Sequence, residues 1–340
     1  MSMLSRIPIW IFLIVAFICL AFVLNNDKRI IIKGLSLEAP SQSFEAEIFD
    51  DFHRINADWV ALMPYAFTPE NTTELHFDLD RYQWWGERTD GIEASIEMAQ
   101  EKGLRVMLKP HLWISHGSFT GDLNYESDED WSAWEKGYQN YIITYAKLAE
   151  KHEVELFCLG TELKTFVNER PEFWDRLIEE VDQVYSGKIT YAANWDNYGN
   201  IPFWESLDFV GIDAYFPLSN KENPTVNQLT SAWEPWIKEM NKLADRVEKP
   251  ILFTEYGYLS TTYNCKAPWT DPDQCLINED AQVHAYEALY QSLWSKDWFS
   301  GGFIWKWHAP SNYDKDRKRG RYTPQNKSTE EVIKNWYGKD

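Results

Sequence analysis

Eight short apolar runs, rich in β-branched and aromatic residues, recur along the chain, at 30–37, 57–65, 104–113, 154–163, 188–195, 208–215, 250–258 and 301–308. Helical patterns are legible between several of them. Strands that alternate with helices pair in parallel through right-handed crossovers, because each helix must return the chain to the same end of the sheet. Eight such units in a chain of 340 residues predict an α/β fold, a closed (β/α)8 TIM barrel, for which about 250 residues is typical. The alternative is an open doubly wound sheet. That fold announces itself by a glycine-rich phosphate loop after an early strand, and neither GxGxxG nor GxxxxGK[ST] occurs.

The helical period is clearest in DEDWSAWEKGYQNYIITYAKLAEKH, where Trp131, Trp134, Tyr138, Tyr141, Tyr145 and Leu148 recur at alternating three- and four-residue steps and predict one buried face. Thr89, Asn278 and the pair Ser328 with Glu331 are expected helix caps. No linker, low-complexity tract or repeat divides residues 30–340, so a single catalytic-sized domain is expected there.

Residues 1–29 read differently. Ile7 to Leu24 is an uncharged, mostly apolar stretch of a length at the lower limit for a membrane span, flanked by Arg6 and by Lys28 and Arg29. The bulky Phe22-Val23-Leu24 end lacks a small-residue cleavage site, so a signal anchor is expected over a signal peptide, with the membrane as a partner and the remainder extracytoplasmic. The formal charge is −20, from 33 Lys+Arg and 53 Asp+Glu. Residues 1–29 contribute three cations and one anion, so the remainder stands at −22. Such a surface repels phosphate backbones, which excludes nucleic acid as a natural partner and disfavours polyanionic substrates. Cys265 and Cys275 bracket the loop CKAPWTDPDQC and are expected to form a disulfide, leaving Cys158 as a buried thiol. No His or Cys spacing suits zinc, and no cofactor is expected.

In a barrel of this kind the chemistry belongs at the carboxyl ends of the strands. Those ends are dense in functional groups: Met63-Pro64-Tyr65, Lys109-Pro110-His111-Leu112-Trp113, Gly160-Thr161-Glu162, Asn194-Trp195-Asp196, Asp213-Ala214-Tyr215, Thr254-Glu255-Tyr256 and Trp305-Lys306-Trp307-His308. Glu162 and Glu255 each follow an apolar run directly, where a carboxylate is expensive to desolvate without a partner or a task. Two carboxyl groups facing each other across the barrel mouth are what glycosidic cleavage requires, one protonated for the leaving oxygen and one ionised. The alternative is structural, each Glu pairing with Lys33, Lys109 or Lys306. Trp is as frequent as Tyr and Phe, at 18 each, which fits either a stacking surface for a flat polar ligand or a large aromatic core.

The segments KPHLW, LGTEL, DAYFP, FTEYGY, GGFIWKWH and RYTPQNKSTEEVI, in this order over residues 30–338, resemble the clan A glycoside hydrolases, most of all family 113, the β-mannanase family. The resemblance implies Glu162 as acid/base, Glu255 as nucleophile, and retention of anomeric configuration. It implies Tyr215 as a donor to Glu255. From their places at or beyond strand ends, Trp305 is expected as the floor beneath the sugar, Trp113, Trp195 and Trp269 as extensions of a sugar-binding groove, and His111 and Asn194 as partners of sugar hydroxyls. The partner is then a neutral β-linked polysaccharide or oligosaccharide, β-1,4-mannan foremost. Another clan A specificity, β-glucanase or transglycosylase, and a non-catalytic glycan-binding barrel stand as alternatives. One departure is Thr161, where much of the clan places Asn before the acid/base.

Overall fold

A computed structural model describes residues 31–115, 118–269, 275–309 and 320–339. The apolar segment 7–24 lies outside them, and among the described residues no helix is long and apolar enough to cross a membrane.

Eight parallel strands close a barrel: β1 (Ile32–Leu37), β2 (Trp59–Leu62), β3 (Arg105–Leu108), β4 (Leu156–Thr161), β5 (Lys188–Asn194), β6 (Val210–Asp213), β7 (Ile251–Tyr256) and β8 (Phe299–Trp307). Each pairs with its neighbour in sequence, and β8 pairs with β1 to complete the ring, Ile32 opposite Gly301 and Gly34 opposite Phe303. All eight expected runs are therefore barrel strands.

Side chains alternate between the two sides of this ring. Ile32, Trp59, Ala61, Met107, Leu156, Leu252 and Phe303 form one buried cluster, the filling of the barrel. Val60, Leu62, Val106, Leu108, Phe157, Ile212 and Phe253, from the intervening positions, join the larger cluster shared with the helices. Those helices are α1 (Thr89–Glu101), α2 (Asp128–Lys151), α3 (Pro171–Asp182), α4 (Val226–Val247), α5 (Glu279–Leu293) and α6 (Ser328–Tyr337). The six residues of the expected α2 stripe are all buried. Most tryptophans of the helical layer serve packing, with Trp134, Trp174 and Trp233 fully enclosed.

Capping was only partly legible. Asn278 accepts the Ala281 amide at 3.0 Å as expected. Thr89 instead opens α1, its own amide held at 3.1 Å by Asp78 from the preceding loop. Ser328 likewise lies inside α6, after Lys327, with no side-chain cap at that end.

The closing seam depends on a glycine. Gly301 has φ +80°, and a Cβ there would stand 2.2 Å from the Ile32 carbonyl oxygen. Gly301→Ala thus combines a disfavoured backbone with a backbone collision. We expect a loss of about 2–4 kcal/mol in a denaturant titration; an unchanged midpoint would show that the seam can open at no cost.

The expected disulfide is corrected. Cys265 and Cys275 are both free: Cys265 is wholly enclosed in the core while Cys275 is partly exposed. The Cys265 carbonyl accepts the amides of Leu218 and Ser219, which ties that residue inward to the segment after β6. Burial pushes its thiol far above the ordinary cysteine range, so it is a poor thiolate.

Candidate active site

Pro64 and Pro110 end β2 and β3, since proline offers no amide to the ladder. Beyond them the chain continues as Tyr65–Thr68 and His111–Ile114, which pair in parallel and, with His76–Phe77, form a small separate sheet at the barrel mouth. The amide of His111 donates to the Pro64 carbonyl at 2.9 Å, and Tyr141 of α2 donates to the carbonyls of both Pro64 and His111. This sheet fixes Tyr65, His111 and Trp113 beside the carboxyl ends of the strands.

Glu255 is aimed by a bulge. Leu252 and Thr254 face the barrel interior and Phe253 faces the helices, so regular alternation would turn Glu255 outward. The register against β6 slips between Phe253 and Glu255, which brings Glu255 opposite Asp213 and turns its side chain inward. There it meets Lys109, whose Nζ lies 2.5 Å from Glu255 Oε1 and 2.9 Å from Asp213 Oδ1, with none of the lysine side chain exposed. Thr254 donates to Asp213 at 2.8 Å, and Tyr215 donates to Glu255 Oε2 at 2.9 Å. His111 Nε2 stands 3.4 Å from Glu255 Oε1, its ring stacked on Trp305 at 6.2 Å between centroids and 8° between planes.

Glu162 closes the other side. The register of β4 against β5 slips just before it, and its backbone has φ +55°, a conformation that costs an ordinary residue about 1–3 kcal/mol. Its amide donates to the Ala192 carbonyl at 2.8 Å, and the next amide, of Leu163, donates to Tyr191 Oη at 2.7 Å. Those two bonds hold the strained residue in place.

The electrostatics divide the two carboxyls. Burial would raise Glu255, but the Lys109 charge, followed by His111 and the Lys109 hydrogen bond, brings it down to about 2. Glu162 has burial and the charges of Asp213 and Glu255 all acting in one direction, and its carboxyl is held well above the usual range. Asp213, buried and next to Glu255, is pushed up to about 7. Burial depresses His111, so its imidazole is neutral at ordinary pH. One carboxyl kept ionised and another kept protonated is the pairing that two-carboxylate hydrolysis uses.

These groups line a cavity of about 270 Å³ that includes Glu162, Glu255, Tyr215, His111, Trp113 and Trp305, together with Tyr65, Asp213, Thr120 and Thr161. Asn194 and Trp195 are not among its lining residues. Asn194 ends β5 with its amide oxygen buried and without a hydrogen-bond partner among the described residues, whereas Trp195 packs against Trp236 and Phe216 and is stacked by the exposed Trp269 at 5.4 Å. The Thr161 hydroxyl donates to the Pro110 carbonyl at 3.3 Å. Tyr65 was not anticipated as a site residue, and Lys109 was anticipated only as one of three lysines with which a glutamate could pair, a pairing that Glu255 makes. Lys109 shares the inward parity of Met107, two positions before it, and that parity was the available signal. Away from the cavity, Glu93, Glu97 and His152 gather ligand-type atoms within 4.8 Å, but Lys151 already pairs with Glu93 there.

The family model described as Glycoside Hydrolase Family 113 matches residues 41–327. The chain belongs to glycoside hydrolase family 113. Among solved structures, this family 113 hydrolase is similar to a β-mannanase of the same family from Alicyclobacillus acidocaldarius, with 23% identity over 91% of this chain and 98% of that one and a TM-score of 0.78. A second structure, a family 113 β-1,4-mannanase, has 23% identity over 92% of this chain and 100% of that one at a TM-score of 0.77. A β-glucuronidase from Ruminococcus gnavus shares the fold at 15% identity and a TM-score of 0.62, with 92% of this chain covered and 50% of that one. No curated protein matches it by sequence.

Proposed function

We propose that this family 113 hydrolase cleaves β-1,4-mannan or its oligosaccharides with retention, Glu255 acting as nucleophile and Glu162 as acid/base. The observation that carries the assignment is the split between them: Lys109 and Tyr215 hold Glu255 ionised, while Glu162, strained and facing two negative neighbours, holds its proton. Glu255 attacks the anomeric carbon as Glu162 protonates the departing oxygen; Glu162 then takes a proton from the water that releases the sugar. Trp305, with His111 stacked against it, offers the sugar a flat apolar floor. Mannan leads among neutral substrates because the two similar family 113 structures are mannanases. Assays on mannan, glucan and xylan test this: preferred release from mannan is expected, and turnover of glucan or xylan alone would overturn it. The apolar segment 7–24 supports an extracytoplasmic position on a membrane anchor, and recovery of the full chain in the soluble cytoplasmic fraction would count against that.

The pH dependence follows from the two carboxyls. Glu255 must be ionised, so kcat/KM falls as pH drops toward about 2. Glu162 must be protonated, so kcat/KM falls as pH rises through its elevated pKa. Asp213→Asn removes a negative neighbour of Glu162, and the alkaline limb is expected to move to lower pH. An alkaline limb that stays fixed in this variant would assign it to another group.

A further inference from the structure

A larger cavity, of about 950 Å³, adjoins the catalytic one and shares Tyr65 and Trp113 with it. Its walls are the small sheet at the barrel mouth, through Phe67, and the loop from Asp78 to Arg88, through Leu79, Tyr82 and Trp84. Three aromatic side chains here face solvent: Tyr82 is 87% exposed, Trp84 47% and Trp113 56%.

The loop that carries two of them is braced rather than loose. The Leu79 amide donates to Gln83 Oε1 at 2.8 Å, and Gln83 Nε2 donates to the Tyr65 carbonyl at 2.7 Å, tying the loop to the edge of the catalytic cavity. Arg88 pairs with Asp80 at 2.7 Å, and the Trp84 amide donates to Glu87 at 3.1 Å. Exposed aromatic rings on a fixed loop are an apolar surface kept in water at a cost, and a contiguous patch of this kind marks a binding site.

Resting on the reading of the catalytic cavity given above, we propose that this groove holds the sugar units of a long neutral β-linked glycan that flank the one being cleaved. The groove would thereby set the preference of the enzyme for polymer over short oligosaccharides. Three observations favour this occupant. The groove lies beside the cleavage site, Tyr65 and Trp113 lining both, so a glycan held in one extends toward the other. Its volume is more than three times that of the catalytic cavity, room for further sugar rings beyond the one cleaved. Its surface is aromatic, and its polar lining groups are already engaged within the wall, Gln83 by the Leu79 amide and the Tyr65 carbonyl, Glu87 by the Trp84 amide and His76 by Glu74, which suits the apolar faces of pyranose rings.

The test compares the wild type with a Tyr82→Ala/Trp84→Ala double variant on β-1,4-mannobiose through mannohexaose and on mannan. The ratio of kcat/KM for hexaose to that for triose is expected to fall about 10-fold, the scale of two lost stacking contacts. An unchanged ratio overturns the proposal, and so does an equal loss on every length, which would mean a structural role for the loop; thermal melting reports on the latter separately. If the wild type hydrolyses none of these substrates, the mannanase reading fails, and calorimetric titration of the wild type and the double variant with manno-, cello- and xylohexaose decides the groove independently. Binding that weakens about 10-fold in the double variant supports it, and equal affinities or no binding refutes it. Concentration-dependent dimers that dissociate in the double variant would instead assign the patch to self-association and overturn the glycan proposal.

Discussion

Glu255→Ala is expected to abolish glycan hydrolysis, lowering kcat on the order of 10⁴-fold or more, because removal of the proposed nucleophile leaves only binding and residual electrostatics. Folding should survive, since the substitution removes one of two carboxylates gathered around Lys109 and leaves the Lys109–Asp213 pair intact. Glu162→Ala should also be severely slowed, but differently. A substrate with a good leaving group needs no proton from the enzyme, so formation of the glycosyl intermediate would persist and accumulate as a burst. Added azide should then speed turnover of the Glu162 variant and give a product of retained configuration. Hydrolysis at wild-type rate in Glu255→Ala would remove this residue from the mechanism.

Lys109→Met is expected to have the second largest effect, and on both stability and catalysis. It leaves Asp213 and Glu255 buried within reach of each other with no cation between them. Breaking a buried ion pair by removing one partner costs about 3–5 kcal/mol, which a denaturant titration would register directly. The carboxyl of Glu255, held at about 2 by this lysine, should rise, so the acid limb of kcat/KM should move to higher pH. The linkage has the matching sign. A depressed folded-state pKa contributes stability that is present above the unfolded value and lost as pH falls toward about 2, and the variant forfeits that contribution at neutral pH. Adding Asp213→Asn to Lys109→Met removes one of the stranded charges and should restore part of the lost stability. A single variant with wild-type melting and an unshifted acid limb would show that Lys109 does not govern Glu255.

The barrel was legible because its signal is repeated eight times, and a missed boundary in one strand does not disturb the count. All eight runs became strands, and the α2 stripe was buried as its period required. The site was legible only in part, for reasons particular to each residue. Simple alternation places Glu255 on the helix side with Phe253; only the slip of register at the end of β7 reverses it, and a slip of that kind has no periodic signature. The motif FTEYGY therefore pointed to Glu255 as a residue of the site where the strand pattern alone would have turned it away. Lys109 was legible only as one of three lysines with which a glutamate could pair. Alternation gives its direction correctly, but the choice among the three depends on two carboxylates supplied from β6 and β7. Trp195 read as a substrate contact because it follows a strand end, yet its neighbours in space, Trp236, Phe216 and Trp269, come from elsewhere in the chain. The two prolines that end β2 and β3 were visible, but not that the residues beyond them would pair with each other into the sheet that frames the site.

The trio of Lys109, Asp213 and Glu255 has a consequence beyond its own pKa values. Once Asp213 is ionised, with Glu162 still carrying its proton, one cation faces two anions and the cleft bears a single surplus negative charge in surroundings that exclude most of the water. A neutral sugar entering this space has little to answer that charge. As the glycosidic bond breaks, the anomeric carbon becomes positively charged, and for that interval alone the surplus is matched. The site is thus a receptor for a charge that neither substrate nor product possesses, and it lets go of both more readily than it holds what lies between them.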